Sequence, residues 1–144
     1  MILPPSIQKF MCTMFILLGM TSCRWFCPDG SDEEVYYDRT VLVYMAAENS
    51  LSYGSFHQQD IDEMLLAVGD MPKNSRMLVY LDDTDYPSIL SVEQKDGKAV
   101  SRVLHQYTAE HNSGDTETLR LVMEWVSEHS PSSSYGLIFW SHGD

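Results

Sequence analysis

An α/β fold with a mostly parallel sheet is predicted for this chain, on three observations. Continuous apolar runs rich in β-branched residues occupy 40–47, 76–81 and 135–140, the pattern of strands covered on both faces. Segments with helical spacing separate these runs, as crossover connections between parallel strands require. The 144 residues, 44% hydrophobic, supply enough material for one core and not for two.

The first 22 residues are read as a lipoprotein signal peptide rather than as part of that core. Lys9 is the only charged side chain ahead of an apolar stretch at 10–18, which is too short to span a bilayer and has the proportions of a secretory core region. Gly19-Met20-Thr21-Ser22 then places small residues before Cys23. This resembles a bacterial lipobox, in which the Cys23 thiol is acylated and the chain is cut before it. A plain signal peptide cut nearby is the second reading. An N-terminal core helix is disfavoured by Pro4 and Pro5 and by the absence of a polar face. With Cys12 removed and Cys23 lipidated, Cys27 stands alone in a polar tether, 23–39, where nothing lowers its pKa. It is read as incidental.

The domain proper is assigned to 40–144. After the strand at 40–47, Asn49 to Gly54 make a turn, and Ser55 with Gln58 forms a capping box. The helix it opens carries Ile61, Met64, Leu65 and Val68 and stops at Gly69. The strand at 76–81 ends in Asp82-Asp83. Segments 88–94 and 99–107, joined by Lys95-Asp96-Gly97-Lys98, predict a hairpin at the sheet edge or over one face. Asp115 caps a helix with Leu119, Val122, Met123 and Val126 on one side, closed by Pro131 and the serines 132–134. The run at 135–140 is the third buried strand. Right-handed crossovers then put helices on both faces.

A net charge of −12, from 9 Lys+Arg against 21 Asp+Glu, argues against a nucleic-acid partner, which needs a basic face. The residue that stands out is His142, just past the third strand, since ligands sit outside the carboxyl ends of parallel strands. Asp82, Asp83 and Asp85 are candidates for a Mg²⁺ or Ca²⁺ site at another strand end, with a solvated acidic turn as the favoured alternative. His57, His105, His111 and His129 have no metal-ligand spacing and are assigned ordinary surface roles. Asn49 and Asn112-Ser113-Gly114-Asp115 read as turn and cap residues, and Trp125 and Trp140 as packing.

Several of these pieces together resemble the clostripain family of secreted bacterial cysteine peptidases. They are Val43-Tyr44-Met45-Ala46-Ala47-Glu48-Asn49-Ser50-Leu51, Asn112-Ser113-Gly114-Asp115 with Thr118-Leu119, and Ser141-His142-Gly143. The resemblance implies a caspase-like three-layer sandwich, incomplete at its C-terminal side and carrying a β-hairpin insertion. It also implies peptide or protein substrates, cleavage after Arg or Lys, and Ca²⁺ as a cofactor in some relatives. His142 would serve as base and then acid, and Gly143 would offer its N–H to the oxyanion. In the family the nucleophilic cysteine follows on the next core strand, and it has no counterpart here. The chain is therefore expected to be the N-terminal part of a peptidase, from a truncated reading frame or incomplete gene model. It is expected to be inactive and either marginally folded or aggregation-prone by itself, and lipid-anchored in the bacterial envelope or secreted. Two other readings stand beside this one. The first is a non-catalytic surface lipoprotein that binds peptides on a peptidase-like scaffold. The second, an ion-binding receiver or flavodoxin-like module, suits the strand-end acids, but the export signal and the lack of a Gly-rich phosphate loop oppose it.

Overall fold

A computed structural model describes residues 35–142. The residues read as a signal peptide, most of those read as a tether, Cys12, Cys23, Cys27, Gly143 and Asp144 lie outside the described residues.

The strands are β1 (Arg39–Ala46), β2 (Ser75–Asp82), β3 (Ser88–Lys95), β4 (Lys98–Gln106) and β5 (Tyr135–Trp140). They form one sheet in the order β4-β3-β2-β1-β5. β1 runs parallel to both β2 and β5, while β3 and β4 add antiparallel strands beyond β2. Helices α1 (Ser50–Tyr53) and α2 (Phe56–Ala67) connect β1 to β2, and α3 (Thr116–His129) leads into β5. The chain thus moves to one side of β1 and later returns to the other, which makes the carboxyl end of β1 a topological switch point.

Alternation along β1 and β2 divides the core into two layers. Leu42, Tyr44, Leu78 and Tyr80 pack with Val122 and Val126 of α3 on one face. Val43, Met45 and Val79 pack with Ile61 and Val68, from α2 and the turn after it, on the other. Helices on opposite faces, for crossovers in opposite directions, give both connections the same hand. In-register pairing sets Tyr44 opposite Tyr80, and their rings stack at 4.5 Å.

Two expectations are corrected in detail, and one open alternative, the place of the hairpin, is decided. Ser55 is no capping box: its φ of 55° is left-handed and its side chain makes no cap bond. An N-cap needs extended backbone, and Asn49 supplies it one turn earlier, accepting from the Leu51 N–H at 2.9 Å to open α1. Of the two places expected for the hairpin, it takes the sheet edge and extends the sheet in its plane. Its turn residues Asp96 and Gly97 both have positive φ, 53° and 76°, as a tight two-residue turn demands. Finally, β5 is an edge strand and not a buried one, with Ile138 51% and Phe139 65% exposed. Its apolar composition could not distinguish the two, since both faces of an edge strand are covered only if something packs on them.

Candidate active site at the carboxyl rim

The carboxyl ends of β1, β2 and β5 bring the polar residues together. β5 pairs with β1 as far as Met45 and Trp140, so the chain that leaves at Ser141 comes up beside the chain that leaves β1. His142 there meets the first residue of α1: its Nε2 lies 2.6 Å from Ser50 Oγ. The tip of β5 is held from the other face, where the indole N–H of Trp140 donates to an Asp60 carboxylate oxygen on α2. Asn49 also donates from its amide nitrogen to the Ala46 carbonyl at 2.9 Å. Its cap and this bond lock the turn that presents Ser50.

Asp82, the last residue of β2, is buried with 1% exposure. One carboxylate oxygen, Oδ2, accepts from the Ser113 hydroxyl, while Oδ1 is buried and has no hydrogen-bond partner. Burial pushes its pKa up; the Ser113 bond opposes this, Glu48 and Glu110 raise it further, and His111 lowers it. Ligand oxygens of Glu48, Asp82 and Glu110 all lie within 4.8 Å of one another. Glu48 and Asp82 border a cavity of about 240 Å³ whose lining also includes His111, Ser113 and Ser141.

The acidic run at the end of β2 is therefore divided. Asp82 faces this cavity, whereas Asp83 pairs with His57 at 3.5 Å and accepts from the Asp85 N–H at 2.9 Å. Consecutive residues at a strand end point to opposite faces, so Asp82, Asp83 and Asp85 do not form one ligand set. The set that fits a hard cation joins Asp82 to Glu48 and Glu110, and its orphaned Oδ1 is the observation that favours the fit. Glu110 is not singled out from the sequence, and Glu48, Ser50 and Ser113 are read there only as parts of motif or turn segments, with no role at the site. Their shared signal is placement within a few residues of a strand's carboxyl end or ahead of a helix, where a parallel sheet gathers loops.

The histidines given surface roles are more engaged than expected. Tyr80 Oη and His111 Nδ1 are 3.0 Å apart, and His111 packs against the Tyr107 ring. His105 and His129 flank the Trp125 ring, with centroids 5.6 and 4.2 Å away. Burial drives the tyrosine hydroxyls toward the neutral form: Tyr107 is pushed up to about 12, and Tyr44 and Tyr80 are raised as well.

With this fold and rim in place, the comparisons with known proteins are specific. The sequence profile of the clostripain family matches residues 43–144. A solved B. fragilis cysteine protease is 34% identical with a TM-score of 0.68, the match covering 74% of this chain and 90% of that one. A secreted C11 cysteine protease from Bacteroides thetaiotaomicron, solved with an irreversible peptide inhibitor, is 35% identical with a TM-score of 0.67; the match covers 74% of this chain and 30% of that one. An inactive zymogen C11 protease from Parabacteroides distasonis is 34% identical with a TM-score of 0.65, over 75% of this chain and 31% of that one. No match is found among curated proteins. The chain has the α/β fold of the caspase-like cysteine peptidases. It belongs to the clostripain family.

Proposed function

We propose that this chain is the N-terminal, histidine-bearing part of a clostripain-like cysteine endopeptidase that cleaves peptide bonds after Arg or Lys. The observation that carries the reading is the position of His142 at the β1/β5 switch point, on the rim where α/β proteins bind ligands. A peptidase of this type needs an imidazole that takes the thiol proton as the sulfur attacks the carbonyl and returns a proton to the leaving amine. His142 would do both, and the Gly143 N–H would stabilise the oxyanion. Residues 35–142 contain no cysteine, so the nucleophile has to come from elsewhere in the protein. Relatives about three times as long as the matched region agree with that division. The domain is taken to be 40–144, preceded by a signal peptide at 1–22 and a tether at 23–39 lipidated at Cys23, which would place it at the cell envelope; a relative is secreted.

The test begins with the genomic sequence past codon 144, which is expected to encode an apolar strand ending in an Asp-x-Cys segment. Expressed through that strand, the protein should turn over arginyl and lysyl peptides and lose this in His142→Ala. The 144-residue chain should give no turnover. Activity that survives His142→Ala, or a continuation with no cysteine, would defeat the proposal; peptide binding without hydrolysis would then favour the surface-lipoprotein reading.

A further inference from the structure

The turn between β1 and α1 is cross-tied on both sides of one residue, Ser50. The Asn49 side chain accepts from the Leu51 N–H and donates to the Ala46 carbonyl, both at 2.9 Å. The Asn49 N–H donates to the Ala47 carbonyl at 2.6 Å and the Ser52 N–H to the Asn49 carbonyl at 3.1 Å, while the Ser52 hydroxyl reaches back to the Ala47 carbonyl. The Ala47 N–H donates to the Asp82 carbonyl at 2.7 Å, which ties the turn to the end of β2. None of these bonds uses the Ser50 hydroxyl. Its partner is His142, whose Nε2 stands 2.6 Å from Ser50 Oγ. Among the described residues, Ser50 Oγ makes no other hydrogen bond and His142 Nδ1 makes none.

We infer that Ser50 is a positioning residue for His142, an inference that rests on the peptidase reading of that histidine. The proton in this contact can sit in two ways, and only one suits a base. If the hydroxyl donated to Nε2, that lone pair would be occupied and Nδ1 would carry the ring proton, leaving neither nitrogen to accept one. With Nε2–H donating to Ser50 Oγ, Nδ1 keeps its lone pair for the thiol proton. When Nδ1 takes that proton the imidazolium keeps the same bond, now charge-assisted, so Ser50 holds the ring through both halves of the cycle. His142 needs such a hold. It is exposed and lies two residues past Trp140, the last residue of β5 paired to β1, so neither burial nor strand pairing fixes its ring. The bond from Trp140 to Asp60 pins the strand end and not the imidazole. A ring that averages over rotamers spends less time in the reactive geometry, and rate falls in proportion. Ser50, on its cross-tied turn, supplies the fixed point.

Two measurements test this, and they can fail separately. In the protein expressed through the cysteine-bearing strand, Ser50→Ala should lower kcat on arginyl and lysyl peptides about ten- to a hundredfold and leave KM within about twofold. Ser50→Thr, which keeps the hydroxyl, should restore most of the rate. In the 144-residue chain, NMR relaxation of the His142 ring carbons reads the anchor without any turnover. The native ring should hold one rotamer, Ser50→Ala should let it average on the ps–ns timescale, and Ser50→Thr should hold it again. Asn49 caps α1 whatever stands at position 50, so Ser50→Ala removes the contact and keeps the fold. A ring equally mobile in the native chain and in Ser50→Ala would overturn the inference, as would an active enzyme whose kcat is unchanged by Ser50→Ala. A ring that loosens in Ser50→Ala, in a protein without turnover, would defeat the peptidase reading and leave the anchor standing.

Discussion

At the hairpin edge, β4 turns Lys98, Ser101 and Arg102 to solvent, and Arg102 bridges to Glu93 at 2.9 Å across the hairpin. At the opposite edge, β5 presents Leu137, Ile138 and Phe139, all more than a third exposed. Both edges are exposed, but β4 shows Val103 as its one large exposed apolar side chain among polar ones, whereas Leu137, Ile138 and Phe139 are all apolar. Charges on an edge strand block pairing with another chain, so the hairpin terminates the sheet. An apolar edge with open hydrogen-bonding groups invites association, and a cavity of about 330 Å³ opens beside it, between Phe139 and Leu119 of α3. The contrast teaches that strand composition reports what a strand is built to meet.

The strongest test of this contrast uses side-chain truncation. Leu78→Ala, at a fully buried site in the middle of the sheet, should cost about 2–5 kcal/mol, while Ile138→Ala on β5 should cost less than about 1 kcal/mol. Urea unfolding measures both, and equal losses would mean that the β5 edge is covered in solution. At the hairpin, Gly97→Ala places a Cβ in open space but forces it into a φ of +76°. The expected loss is about 1 kcal/mol, from backbone conformation only.

Association should separate the edges too. Ile138→Lys is expected to lower self-association in sedimentation velocity, and Val103→Lys on β4 to change it far less. A reversed order would reassign the sticky edge.

The smallest effect concerns the rim between the edges. Burial holds the Asp82 pKa above its unfolded value. Its contribution to stability is therefore fully present below the unfolded pKa and is lost as pH rises through the folded one. In calcium-free buffer, the native chain should lose stability relative to Asp82→Asn over that window. A difference that does not vary with pH would show that Asp82 is solvated.

Much of the fold was legible because it rests on local patterns. The runs at 40–47 and 76–81 became β1 and β2 nearly as drawn, and the Asp96-Gly97 pair made its turn. Asp115 caps α3 as expected, accepting from the Glu117 N–H. The Ser55 capping box failed because α1 runs straight into Ser55 and denies it extended backbone. At the rim, His142 was legible from its place after a strand, but Ser50 lies 92 residues away from it in sequence. Asp82 was seen, yet assigned with the wrong neighbours, because adjacent acids in sequence look like one ligand set and the pleat sends them apart. The aromatic and histidine stack from Tyr80 to His129 draws on β2, β4, the following loop and α3, and no local pattern announces it.

The sequence by itself determined the periodicities, turns and caps, and with them the strands, helices and family, because those depend on contacts between residues a few positions apart. Tertiary structure decided which carboxylates share a cavity, which hydroxyl meets His142 and which apolar strand lies at an open edge. Those depend on which chain ends converge at the switch point of the sheet, and only the packing of strands and helices against one another sets that.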